Sequence, residues 1–184
     1  MKAVERSEIV DYVTYGEQRD SIRQRVMRQK DARRVHLAGA LTFLFENRDT
    51  IRYQVQEMIR AEQIVREADI QHELATYNEL LGGDGELGCT LLIELDDPQE
   101  RAVKLRQWLA LPRHLYAKLD DGTRVSASFD ERQLGDDRLS SVQYLKFPVG
   151  GRPPVALGVD LEGLSAEVEL TPAQRDALAT DLAQ

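Results

Sequence analysis

The sequence predicts an α+β fold, with a mainly antiparallel sheet of about six to seven strands packed against helices that include a helical hairpin. Three observations lead there. Apolar residues repeat at helical spacing through much of the first half. They alternate at period two in short, turn-punctuated runs through most of the second half. Runs of helices followed by runs of strands favour an antiparallel sheet over alternating βα units. The chain is read as one domain over 1–184. Helices fill 1–34; a strand, the helical hairpin, a second strand and a helix fill 35–110; a β-rich part with a C-terminal helix fills 111–184.

The elements follow in order. Ser7 to Tyr15 reads as a short helix capped by Ser7 and ended by Gly16. Residues 17–32 read as a second helix, with a thin stripe of Ile22 and Val26 and a basic outer face. Val35–Phe45 reads as one central strand: Val35, Leu37, Leu41, Phe43 and Phe45 share one face, and His36, Ala38, Ala40, Thr42 and Leu44 the other. Asn47 or Asp49 caps the next helix, whose buried side is marked by Ile51, Val55, Met58 and Val65. Asp69 caps a further helix carrying Ile70, Leu74, Tyr77 and Leu81. The glycine-rich run 82–85 is a turn, and Leu87–Leu95 a strand.

Asp97 caps a helix with Pro98 at its first position and Glu100 at its third, a capping-box pattern, and that helix runs to about Ala110. His114–Leu119 and Thr123–Phe129 flank Asp120-Asp121-Gly122, a hairpin signal. Ser140–Val149, Val155–Asp160 and Ser165–Leu170 are strands. Thr171 and Pro172 open the last helix.

Composition bounds the function. Hydrophobic residues are 42% and charged residues 30%, which suits a packed core. The net charge of −8 disfavours nucleic acid as a partner. The charge is uneven: residues 17–34 hold seven Lys/Arg against three Asp/Glu, a net +4, so the rest carries −12. No apolar run is long enough for a membrane span, and the N-terminus lacks the pattern of a secretory signal. A cytoplasmic location is the expectation. The single Cys89 excludes an internal disulfide. It lies in a strand face otherwise made of Leu and Ile, which reads as a buried small hydrophobe.

Chemistry concentrates between Glu46 and Glu94. Glu62 falls in the apolar stripe at steps of four, three, four and three from Ile51, and a buried carboxylate needs a partner, a proton or a metal. An arginine such as Arg52 or Arg60, or exposure at the helix end, is the structural alternative. Glu57, Glu62, His72 and Glu73, with His36 as a further ligand, form a candidate set for iron, manganese or zinc. Against it, His72 and Glu73 are adjacent and point about 100° apart on a helix, and no Glu-x-x-His occurs. His36 and His114 would meet if their strands were neighbours. Arg48, Arg52, Tyr53 and Asn78 are candidates to line a cleft for a small anion between helices and sheet. The basic stretch 19–34 is the candidate docking surface for an acidic protein.

The segments RRVHL (33–37), LTFLFENRDTIRYQVQEMIRAE (41–62), IQHEL (70–74), YNELL (77–81), GELGCTLLIEL (85–95), RHLYA (113–117) and PVALGVD (154–160) resemble an uncharacterised bacterial domain family of unknown function. That resemblance covers nearly the whole chain and supplies no catalytic residues. It implies a setting, because genes of this family often lie beside those for rubrerythrin-like di-iron proteins and iron–sulfur oxidoreductases. The implied role is an accessory protein that docks on such a redox partner, in oxidative-stress defence. A metal-binding protein or metal-dependent enzyme, and a small-anion binder, are the alternatives.

Overall fold

The structure, a computed structural model, describes residues 1–184. Five α-helices and eight strands follow in the order α1 (Tyr12–Asp31), β1 (Arg34–Leu37), β2 (Leu41–Glu46), α2 (Arg48–Glu62), α3 (Glu67–Asn78), β3 (Leu87–Ile93), α4 (Pro98–Gln107), β4 (Leu115–Lys118), β5 (Arg124–Ser126), β6 (Val142–Phe147), β7 (Ala156–Leu161), β8 (Leu164–Glu169) and α5 (Pro172–Leu182). The α+β class and the antiparallel pairing are as the sequence predicts. The strands divide into two sheets of four, in the orders β1-β2-β3-β6 and β5-β4-β7-β8. Every ladder is antiparallel.

The inner faces of both sheets share one core of 24 buried residues. Alternation sets which residues enter it: Phe43, Phe45, Cys89, Leu91, Leu145 and Phe147 from the first sheet, and Leu115, Ala117, Leu157 and Val159 from the second. Full burial of each Leu or Phe contributes roughly 1.5–3 kcal/mol. A backbone bridge between Ser128 and Lys146 ties the sheets together beside β6. Leu105 and Trp108 at the end of α4 and Leu178 of α5 add to the same core. A second cluster of eight residues, including Ile51, Val55, Ile59, Ile70 and Leu74, joins α2 and α3 to the N-terminal segment.

Several strand and helix ends are shorter than the sequence suggests, with β5 only Arg124–Ser126 where Thr123–Phe129 is expected, and four readings change more. The helix expected to start at Ser7 starts at Tyr12, capped by Asp11, and Arg6–Glu8 is a single 3-10 turn. α1 passes straight through Gly16, because one interior glycine costs only about 1 kcal/mol against the packing of α1 on α2. Val35–Phe45 is a hairpin, not one strand. Ala38 and Gly39 take φ of 54° and 73°, turning the chain in three residues. Leu37 then pairs with Leu41 on the same face, so the alternation survives the turn unbroken. Last, α3 begins at Glu67, so Asp69 lies in its first turn. Asp97 and Thr171 cap α4 and α5 as their sequences predict, though Asp97 accepts from the Gln99 amide without the reciprocal Glu100 bond of a capping box, and of the two candidates for α2 it is Asn47 that caps.

Candidate functional site

The helical lobe holds most of the residues the sequence singles out, and their contacts sort them. Tyr15 is fully buried under α2 and its hydroxyl donates to Glu57 Oε1 at 2.6 Å. Arg19 closes a two-pronged bond on the same carboxylate, Nε to Oε1 at 2.7 Å and Nη2 to Oε2 at 2.8 Å. The Arg19 guanidinium, then the Tyr15 hydroxyl, hold the Glu57 carboxyl below its ordinary range. Burial, then the Glu57 carboxylate, push the Tyr15 phenol well up. Both Glu57 oxygens are thus committed to joining α1 and α2.

The four candidate anion ligands separate. Arg48 donates to Glu8 at 2.5 Å and to the Ala3 carbonyl at 3.3 Å. Asn78 grips the main chain of Val4 from both ends of its amide, at 2.8 and 3.0 Å, and pins the N-terminal segment on α3. Arg52 and Tyr53 do share a cavity of ≈ 340 Å³ between α1 and α2 with Arg25 and Gln56. Glu8 and Asp49 line it too, and Asp49 holds Arg52 at 2.6 Å.

Glu62 is exposed, which answers the question of its partner with solvent. The helix outruns its core by a turn: the buried positions end at Ile59, and Gln63 leaves the helix in the left-handed region. Val65, also expected on the buried side, is 72% exposed. Glu62, His72 and Glu73 border one open depression of ≈ 420 Å³ with Asp69 and Arg66. Nowhere do three His, Cys, Asp or Glu side chains converge closely enough to hold a metal ion.

His36 and His114 lie on different sheets. His114 Nδ1 meets Asp160 at 3.0 Å. His36 Nδ1 meets Thr42 Oγ1 at 2.9 Å, and the Thr42 hydroxyl donates to Glu94. A hydroxyl has one proton, so with that proton on Glu94 the Thr42 oxygen accepts from His36 Nδ1. Cys89 is buried as expected, and its apolar setting pushes the thiol pKa up.

Two features remain open to a partner. The first is α1, where only Tyr15 and Val26 of 20 residues are buried. Arg23, Arg25, Arg28 and Lys30 project from it without a carboxylate partner, although Arg23 donates to the Tyr53 hydroxyl and Lys30 lies over that ring. The second is a cleft of ≈ 610 Å³ between the end of α3 and the first sheet. Glu79 and Leu80 form one wall, Phe129, Asp130, Arg132 and Gln133 the other, and Tyr144 and Lys146 of β6 the floor. A cleft between helices and sheet is the place the sequence suggests, but different residues line it. The available signal is the alternation of Val142, Tyr144 and Lys146, which puts an aromatic and a cation on the outer face of a strand.

No helix is long and apolar enough to cross a membrane. The sequence pattern of the family described as "Protein of unknown function (DUF3501)" matches residues 3–182. A crystal structure of a novel protein of unknown function from Burkholderia pseudomallei K96243 superposes with a TM-score of 0.90. It is 29% identical, over 98% of this chain and 100% of that one. No curated protein matches the chain.

Proposed function

We propose a docking role for this chain, which belongs to the DUF3501 family of proteins of unknown function. It acts as a non-enzymatic accessory protein, and α1 presents its basic side to an acid-surfaced redox partner of the rubrerythrin-like or iron–sulfur oxidoreductase kind. The observation that carries this reading is the set of cations on α1 with no carboxylate partner, on a protein whose net charge is −8. Local charge of the opposite sign to the whole molecule orients an encounter: an acidic surface is steered to α1 and repelled elsewhere. Arg25 and Arg28 are central, because both are exposed and neither is engaged by Tyr53.

The test is co-purification from cells that express the tagged chain with a rubrerythrin-like or iron–sulfur protein. The partner is expected to come down at low salt and to be lost at high salt. Replacing both Arg25 and Arg28 by Glu should slow association on the order of tenfold or more. A tagged chain that comes down alone, or a charge-reversed variant that keeps its partner, removes the proposal.

A further inference from the structure

We infer that the cleft between α3 and β6 binds a small planar aromatic carboxylate. The argument rests on three properties of its lining, none of which involves α1.

The cleft is built before any ligand arrives. The Leu80 carbonyl sits so close over Gly88 that a Cβ there would lie 1.9 Å from it, which fixes the end of α3 against the sheet. On the other side, Gln133 hydrogen-bonds the Tyr144 main chain twice: its Oε1 accepts from the amide at 2.8 Å and its Nε2 donates to the carbonyl at 3.1 Å. Ser128 pairs with Lys146 through both backbone bonds, at 2.7 and 2.8 Å. Both walls are therefore bonded or packed to the floor. The volume of ≈ 610 Å³ is that of a small-ligand site.

The lining leaves one cation and one aromatic ring unused. Asp130 and Arg132 neutralise each other through a two-pronged pair. Lys146 makes no ion pair, and its ammonium is the one positive group of the cleft without a partner. Tyr144 is 43% exposed and its hydroxyl makes no hydrogen bond. Phe129 is half-buried on the facing wall. An aromatic ring on the floor and another on one wall select a flat, polarisable body, and a single ammonium selects an anion.

The same lining limits the charge of the ligand. Glu79, Asp130, Arg132 and Lys146 sum to zero, so one negative charge seated on Lys146 is tolerated more readily than the two of a phosphate dianion, which meets the greater repulsion from Glu79 and Asp130.

The experiment is an amide NMR titration of the intact protein with 4-hydroxybenzoate as probe. The neutral amide 4-hydroxybenzamide and the non-aromatic cyclohexanecarboxylate are titrated beside it. The expected result is saturable shifts at 128–133 and 144–146 with the benzoate, and weaker binding of both analogues by about tenfold. Lys146→Met and Tyr144→Leu should each lose a similar factor while keeping the wild-type spectrum elsewhere. The variant with Arg25 and Arg28 changed to Glu should bind the probe normally, which separates this site from the docking surface. Absence of shifts at millimolar benzoate, equal binding of the amide, equal binding of the cyclohexane acid, or a Lys146→Met protein of unchanged affinity would each overturn the assignment.

Discussion

Removing the Asp181 carboxylate should cost this fold a large part of its stability. Asp181 lies at the end of α5 with its side chain wholly buried, and Arg33 opposite it is 9% exposed. Arg33 meets it with two parallel bonds, Nε to Oδ2 at 2.7 Å and Nη2 to Oδ1 at 2.8 Å, and Asn47 Nδ2 adds a third at 3.2 Å. One carboxylate thus ties the end of α1, the cap of α2 and the last helix together. In Asp181→Ala the guanidinium keeps only its bond to the Gln29 carbonyl and remains buried. Stranding one member of a buried pair costs about 3–5 kcal/mol, set against a total stability of about 5–15 kcal/mol. At roughly 2–4 °C per kcal/mol for a chain of this size, Tm should fall by about 10 °C. The decisive comparison is the double variant Arg33→Met with Asp181→Leu. It removes both charges, strands neither, and should recover most of the loss. Urea titration followed by circular dichroism reads both, with a lowered midpoint and an unchanged slope. A single-variant cost below about 1 kcal/mol, or a double variant as unstable as the single one, refutes the account.

Two further predictions use the same assay. Gly16→Ala should stabilise by about 0.5–1 kcal/mol, since the position is helical and a new Cβ meets nothing within 4 Å. Gly88→Ala should destabilise by about 2 kcal/mol or more, because its Cβ would strike the Leu80 backbone; equal effects at the two glycines would contradict the packing described. Glu57 gives a pH dependence. Its pKa is lowered from 4.5 in the fold, so its contribution is fully present above that value and is lost as pH falls through the folded pKa. Glu57→Gln should therefore be less stable than wild type at neutral pH by about 2 kcal/mol, and the gap should close in acid; a gap that widens in acid reverses the sign and defeats the reading.

How much was legible depended on the range of the interaction. The helix starts at Asn47, Asp97 and Thr171 are written in three or four consecutive residues, because a cap bonds amides two or three positions on. The turn at Asp120–Gly122 is equally local, with Gly122 at φ +86°. The β1–β2 turn escaped because a three-residue loop keeps the alternation in phase, so hairpin and long strand give the same pattern. Periodicity misled at Glu62 for a different reason. It records which face a residue occupies, but not whether anything packs against that face, and α2 runs past its partners there.

By itself, the sequence determined the α+β class, the antiparallel pairing, the burial of Cys89 and the basic character of α1. These follow from composition, period and caps, which act over a turn or a strand. Only the tertiary structure decided which charges are spent and which are free. Glu57 is consumed by Tyr15 and Arg19 from 42 and 38 residues away. Arg33 finds Asp181 across 148 residues. The cleft assembles Leu80, Phe129, Tyr144 and Lys146 from three separate stretches of chain. A side chain's chemistry is set by what surrounds it, and those neighbours are chosen by the packing of sheets and helices, which no local pattern encodes.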